Sequence, residues 1–161
     1  MPTINWKAAI SASLIAGFIF LILDLALVAV VGGESLWGPP RMIGAILLGE
    51  GVLPPPATFH AGSFLAALVV HLALSLIYGS IFAWVANRAG WSLSASTLIG
   101  LLFGLAIYAV NFYGMTAFFP WFATARNGIS IFAHAVFGLV LGYTYRKLAP
   151  YVVMDRFGSG A

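Results

Sequence analysis

Asp24, His71, Asn111 and His134 are the residues through which this chain could do chemistry. Each is a polar side chain inside a long apolar run. The four fall at similar depth, roughly 10–14 Å from one end of their runs at the helical rise of about 1.5 Å per residue. An ionisable group there is costly to desolvate, so it is a functional-site hypothesis by default. Four chemistries compete for the layer. His71 and His134, on the second and fourth runs, could be the axial pair of a haem b, with nearby glycines leaving room for the ring. Asp24, His71 and His134 supply ligand types suited to a transition metal, although no spacing within one segment enforces it. The same side chains could relay a proton or ion. The structural alternative is polar glue. Asn111 would then bond across helices for about 1 kcal/mol, and Asp24 would be neutral or pair with His71 or His134.

Little else in the sequence can react. Cysteine is absent, which removes disulfides, thiolate metal sites, iron–sulfur clusters and cysteine nucleophiles. There is no Walker loop, no Gly-x-Ser-x-Gly, no His-Glu-x-x-His and no dinucleotide fingerprint. The sequence makes no positive case for an enzyme.

The elements that must position the layer are membrane spans. Hydrophobic residues make up 62% of the 161 and charged residues only 7%, where a soluble domain carries about a quarter. The mean hydropathy is +1.05. Spans are expected at about 8–31, 62–86, 93–119 and 128–148, each near or above the roughly 20 residues that cross a bilayer. The first run outlasts a signal-peptide core and holds Asp24, so it reads as a retained span. The net charge of +3 is scattered and gives no basic face for nucleic acid.

Lys7, Arg88, Arg146, Lys147 and Arg156 fall on the side of the termini, and Arg41 and Arg126 on the other. This bias predicts cytoplasmic termini. Trp6 and Trp91 on one side, with Trp37 and Trp121 on the other, fit interfacial belts. The connection 32–61 should carry a short interfacial helix at about 40–50, opened by Pro39-Pro40 and ended by Pro54-Pro55-Pro56. It reads as a cap over the outer end of the bundle. His60 reads as solvated. Arg126 is expected to snorkel or to reach Glu34 or Glu50. The tail 154–161 reads as frayed.

Helical spacing sorts the faces. His71, Ser75, Tyr78 and Phe82 share one, as do Gly100, Gly104, Tyr108 and Asn111, and His134, Gly138, Gly142 and Tyr145. The glycines are the packing stripe that lets backbones approach. A weak repeat accompanies them. Gly17 precedes Asp24 as Gly104 precedes Asn111, and His71 precedes Gly79 as His134 precedes Gly142. The chain reads as two parallel helical hairpins.

Trp37-Gly38-Pro39-Pro40-Arg41-Met42-Ile43, Val52-Leu53-Pro54-Pro55-Pro56, His71-x-x-x-Ser75-x-x-Tyr78-Gly79, Asn111-Phe112-Tyr113-Gly114 and His134-Ala135-Val136-Phe137-Gly138 cover nearly the whole chain. As a set they resemble a group of small, uncharacterised bacterial inner-membrane proteins with four spans. The resemblance implies a fold and a location, and carries over no catalytic residue. The expectation is an all-α, up-and-down four-helix membrane bundle in contact with lipid and with other membrane proteins or its own copies. It would serve as an accessory or structural subunit, for example of a respiratory complex. The alternatives are a small bis-histidine haem carrier and a small channel or transporter for protons, ions or solutes.

Overall fold

The computed structural model describes residues 3–150, and the expected frayed tail 154–161 lies outside them. Five α-helices form: α1 (Trp6–Val30), α2 (Gly38–Leu48), α3 (Ala61–Ala89), α4 (Leu93–Ala109) and α5 (Gly128–Leu148). α1, α3, the segment Leu93–Ala117 and α5 are long and apolar enough to cross a membrane. This is a multi-pass membrane protein.

Each span begins with a side-chain cap. Asn5, His60, Ser92 and Asn127 accept hydrogen bonds from the backbone N–H groups of Ala8, Ser63, Ala95 and Ser130. These caps satisfy donors that a helix start leaves without partners. His60, an exposed residue, is one of these caps. Gly90, with φ 62°, ends α3 and turns the chain into α4, a left-handed conformation that glycine adopts without penalty.

The four spans run up and down in a ring. α1 packs on α3 and on α5, and α5 packs on α4 most extensively of all. The α3–α4 seam is sparse. Aromatic rings fill it, with Phe82 5.4 Å from Phe103 and 5.9 Å from Trp91. The buried face of α1 is all small: Ala8, Ala9, Ala12, Ser13, Ala16 and Gly17. Larger side chains such as Phe18 and Ile22 point outward, as lipid-facing positions do.

The hairpin repeat is visible in three dimensions. A Cβ on Gly17 would meet Ser75 and His71, and one on Gly104 would meet Gly138 and His134. One on Gly79 would meet Ser13, and one on Gly142 would meet Gly100. These are matched positions, so α1 crosses α3 much as α4 crosses α5. In the second pair the colliding atoms are backbone, which is why Gly100, Gly104, Gly138 and Gly142 permit its closest approach.

Two helix ends show detail beyond the expected bounds. α2 ends at Leu48, where Gly49 turns to φ 82°, ahead of the prolines. α2 also lies against the start of α3, with Gly44 over the Ser63 backbone. Arg41 staples the returning chain through Nε to the Thr58 carbonyl (2.7 Å) and through a second nitrogen to the Val52 carbonyl (3.2 Å). The third span does not remain α-helical to residue 119. A π-helical turn takes over at Val110–Gly114, and 3-10 turns follow at Met115–Ala117 and Pro120–Ala125. Arg126 holds this irregular stretch. Its Nε donates to the Phe112 carbonyl (2.7 Å), another nitrogen donates to Thr116 Oγ1 (3.0 Å), and the guanidinium lies over Tyr113. Its bonds therefore go to backbone and hydroxyl oxygens, and Glu34 and Glu50, one of the two alternatives expected for it, are not among these partners.

Candidate functional site

The site lies at the end of the bundle that carries α2. α1 and α4 finish there, and α3 and α5 begin there. Asp24 is six residues from the end of α1 and His134 six from the start of α5, about 9 Å of helix in each case. Ten residues of α3 precede His71. Asn111 sits in the π-helical turn, an irregularity frequent at functional sites.

One ring organises the layer. Phe20 stacks on His71 with centroids 5.3 Å apart, meets His134 edge-on at 4.8 Å and meets Phe137 at 6.2 Å. The two imidazoles therefore flank a phenylalanine and do not face each other across a slot. Their ring nitrogens are engaged elsewhere. His71 Nε2 lies 2.8 Å from the Gly17 carbonyl. A carbonyl only accepts, so Nε2 carries the proton and Nδ1 the lone pair. His134 is the opposite tautomer. Its Nδ1–H donates to the Ser130 carbonyl at 2.8 Å, which leaves Nε2 as acceptor. This arrangement does not fit an axial haem pair, because Phe20 fills the gap and His134 Nε2 turns toward Asn111.

Asn111 is the junction of a polar chain across three elements. The Tyr78 hydroxyl donates to Asn111 Oδ1 at 2.8 Å. Asn111 Nδ2 points toward His134 Nε2 at the long distance of 3.5 Å. The chain Tyr78–Asn111–His134–Ser130 thus links α3, the π-helical turn and α5, and closes the α3–α4 seam at this end. Tyr108 and Phe112 pack against His134 at 5.7 and 5.5 Å.

Asp24 stands apart from that chain. It lines a crevice between α1, α2 and α3, together with Phe20, Pro39, Pro40, Phe64 and His71. Among the described residues it makes no hydrogen bond and no ion pair. Among the same residues no three His, Asp or Glu side chains gather into a metal cluster, so Asp24, His71 and His134 do not form the ligand set considered above.

Phe20 and the Tyr78–Asn111 bond escape a reading of the sequence. Phe20 is one of 13 phenylalanines and carries no distinguishing mark. Tyr78 does share a helical face with His71, which is a usable signal, but its partner lies in the other hairpin. No family model, no curated protein and no solved structure matches the chain.

Proposed function

We propose that the protein is a non-catalytic accessory subunit that packs against other proteins of a bacterial inner membrane, with both termini in the cytoplasm. The carrying observation is how the polar layer is used. Tyr78, Asn111 and His134 bond to one another and to backbone, holding helices together. Residues consumed in this way are not poised to react. The described chain also has no body outside its membrane-length helices beyond α2 and short turns. Such a molecule acts chiefly through its lipid-facing surface. The membrane, the orientation and a respiratory assembly rest on the charge bias and on the resemblance of the motifs. The glycine stripes pack α4 on α5, so the partner surface is sought on the outward faces, such as that of Phe18 and Ile22.

Native mass spectrometry on protein drawn gently from its own membranes tests this. The expected result is a particle well above the 17.1 kDa chain that contains other polypeptides. A lone chain overturns the proposal. Orientation has its own check, because the chain has no cysteine. A cysteine placed at Gly51 should react with an impermeant thiol reagent from outside the cell, and one at Gly90 should not. The reverse pattern would invert the topology.

A further inference from the structure

The ends of α3 and α5 share an arrangement. Arg88 is the last residue but one of α3, and Lys147 the last but one of α5. Each lies over an aromatic ring four residues earlier. The guanidinium is 4.4 Å from the centre of the Trp84 ring, and the ammonium 5.7 Å from that of Tyr143. The cause is the lean of helical side chains toward the N-terminus of their own helix. α3 and α5 finish at this end of the bundle, so the lean carries both cations back toward the bilayer. Lys7 lies in the first turn of α1, which starts at this end, and the same lean carries it out toward water.

Charge at this end is one-sided. Among the described residues it holds Lys7, Arg88, Arg146 and Lys147 and no acid, whereas Asp24, Glu34 and Glu50 all lie toward the opposite end. Arg146 is buried and donates to the Ala86 and Ala149 carbonyls, so it belongs to the fold. Arg88 and Lys147 are exposed and form no ion pair among the described residues.

Toward the middle of the membrane, the helical face of Arg88 continues through Trp84, Ile81 and Ile77, exposed by 45%, 46% and 53%. From Arg88 to Ile77 is about 16 Å of helix, close to the hydrocarbon depth of one leaflet. A cation above such a track matches a lipid, with its phosphate on the guanidinium and an acyl chain alongside the ring and the isoleucines. Lys147 lacks the track, because Val140 and Val136 on its face are half-buried. The one-sided charge decides the headgroup. A choline or ethanolamine ammonium would meet only cations here, and a ring that one already covers. A phosphodiester with no cation of its own meets none of that repulsion.

We infer that Arg88 and Trp84 form a binding site for an anionic membrane lipid, holding its phosphodiester at the guanidinium and its acyl chain along Ile81 and Ile77. The inference rests on the membrane-spanning fold and is independent of the accessory role.

Native mass spectrometry of the detergent-purified full chain, with lipids added singly, resolves the first lipid bound. Dioleoylphosphatidylglycerol should bind about fivefold or more tightly than dioleoylphosphatidylcholine, the scale of one cation beside an anionic headgroup. Arg88→Gln should remove most of that preference, and Arg88→Lys, which keeps the charge, should retain it. Lys7→Gln should leave it unchanged. Both positions are exposed, so the variants should fold. Equal losses in Lys7→Gln and Arg88→Gln would reduce the effect to net charge and overturn the site. Equal binding of the two lipids by the unaltered chain would overturn it as well. Displacement of the phosphatidylglycerol by soluble glycerophosphate would make this a site for free anions and reject the lipid.

Discussion

His71 and His134 occupy matched places in the two hairpins yet hold their protons on opposite nitrogens. The cause is the acceptor each one meets. His71 reaches across to the Gly17 carbonyl, and His134 folds back on Ser130 in its own helix. Nitrogen-15 NMR of the detergent-solubilised chain should therefore show an Nε2–H tautomer for His71 and an Nδ1–H tautomer for His134. Identical tautomers would break the described network. Asn111→Leu should destabilise the fold by about 1–3 kcal/mol, because it leaves the Tyr78 hydroxyl and His134 Nε2 without partners in a poorly solvated place. Tyr78→Phe should cost less. The double variant should cost less than the sum, since the two share one bond. Unfolding titrations of the three variants check this, and strict additivity would mean the bond contributes nothing. The depth of Asn111 and His134 could be read from the sequence. Their meeting could not, because it depends on a π-helical turn that no residue type announces.

At the scale of elements, glycine decides how closely α4 and α5 lie. Gly104→Leu would drive its side chain into the His134 carbonyl, and backbone cannot swing aside. Loss of folded protein is expected, by the overpacking cost of about 1–3 kcal/mol or more. Gly114→Ala meets nothing and should change stability by no more than about 0.5 kcal/mol. Thermal unfolding separates the two, and equal effects would contradict the α4–α5 contact. The stripe through Gly100, Gly104, Gly138 and Gly142 was legible from helical spacing alone. The small face of α1 was equally available at positions 8, 12 and 16, and at 9, 13 and 17. It is harder to notice because alanine marks both lipid-facing and packed positions. The end of α2 misleads for a simple reason. Prolines are conspicuous helix stops, yet Gly49 reaches a left-handed φ first. Arg41→Ala should loosen this element only. Hydrogen exchange should quicken over residues 38–48 while the spans keep their protection, and uniform quickening would show that α2 supports the whole bundle.

Over the whole molecule, two hairpins meet chiefly along α1 and α5, while α3 and α4 share little beyond their turn and a row of rings. Cutting the chain at Gly90 should therefore leave halves that reassociate when co-expressed in one membrane. Copurification of an untagged half with a tagged one checks this. Failure to copurify would move the weight of the interface to the α3–α4 turn. Four membrane-length helices and their alternation follow from hydropathy and run length. The unequal closure of the ring does not, because it depends on which small faces find each other. Hydropathy is blind to that choice.

The central place of α1 bears on how the protein is made. α1 leaves the ribosome well before α5, yet its alanine face shares a buried core with Phe137, Leu141 and Tyr145 of α5. One flank of α1 must wait in the lipid, with α3 on its other side, until α5 has been made. Alanines tolerate that wait, since they expose neither a polar group nor a large sticky surface. A polar substitution on this face, such as Ala12→Asn, would give the waiting helix a reason to seek another protein before α5 arrives.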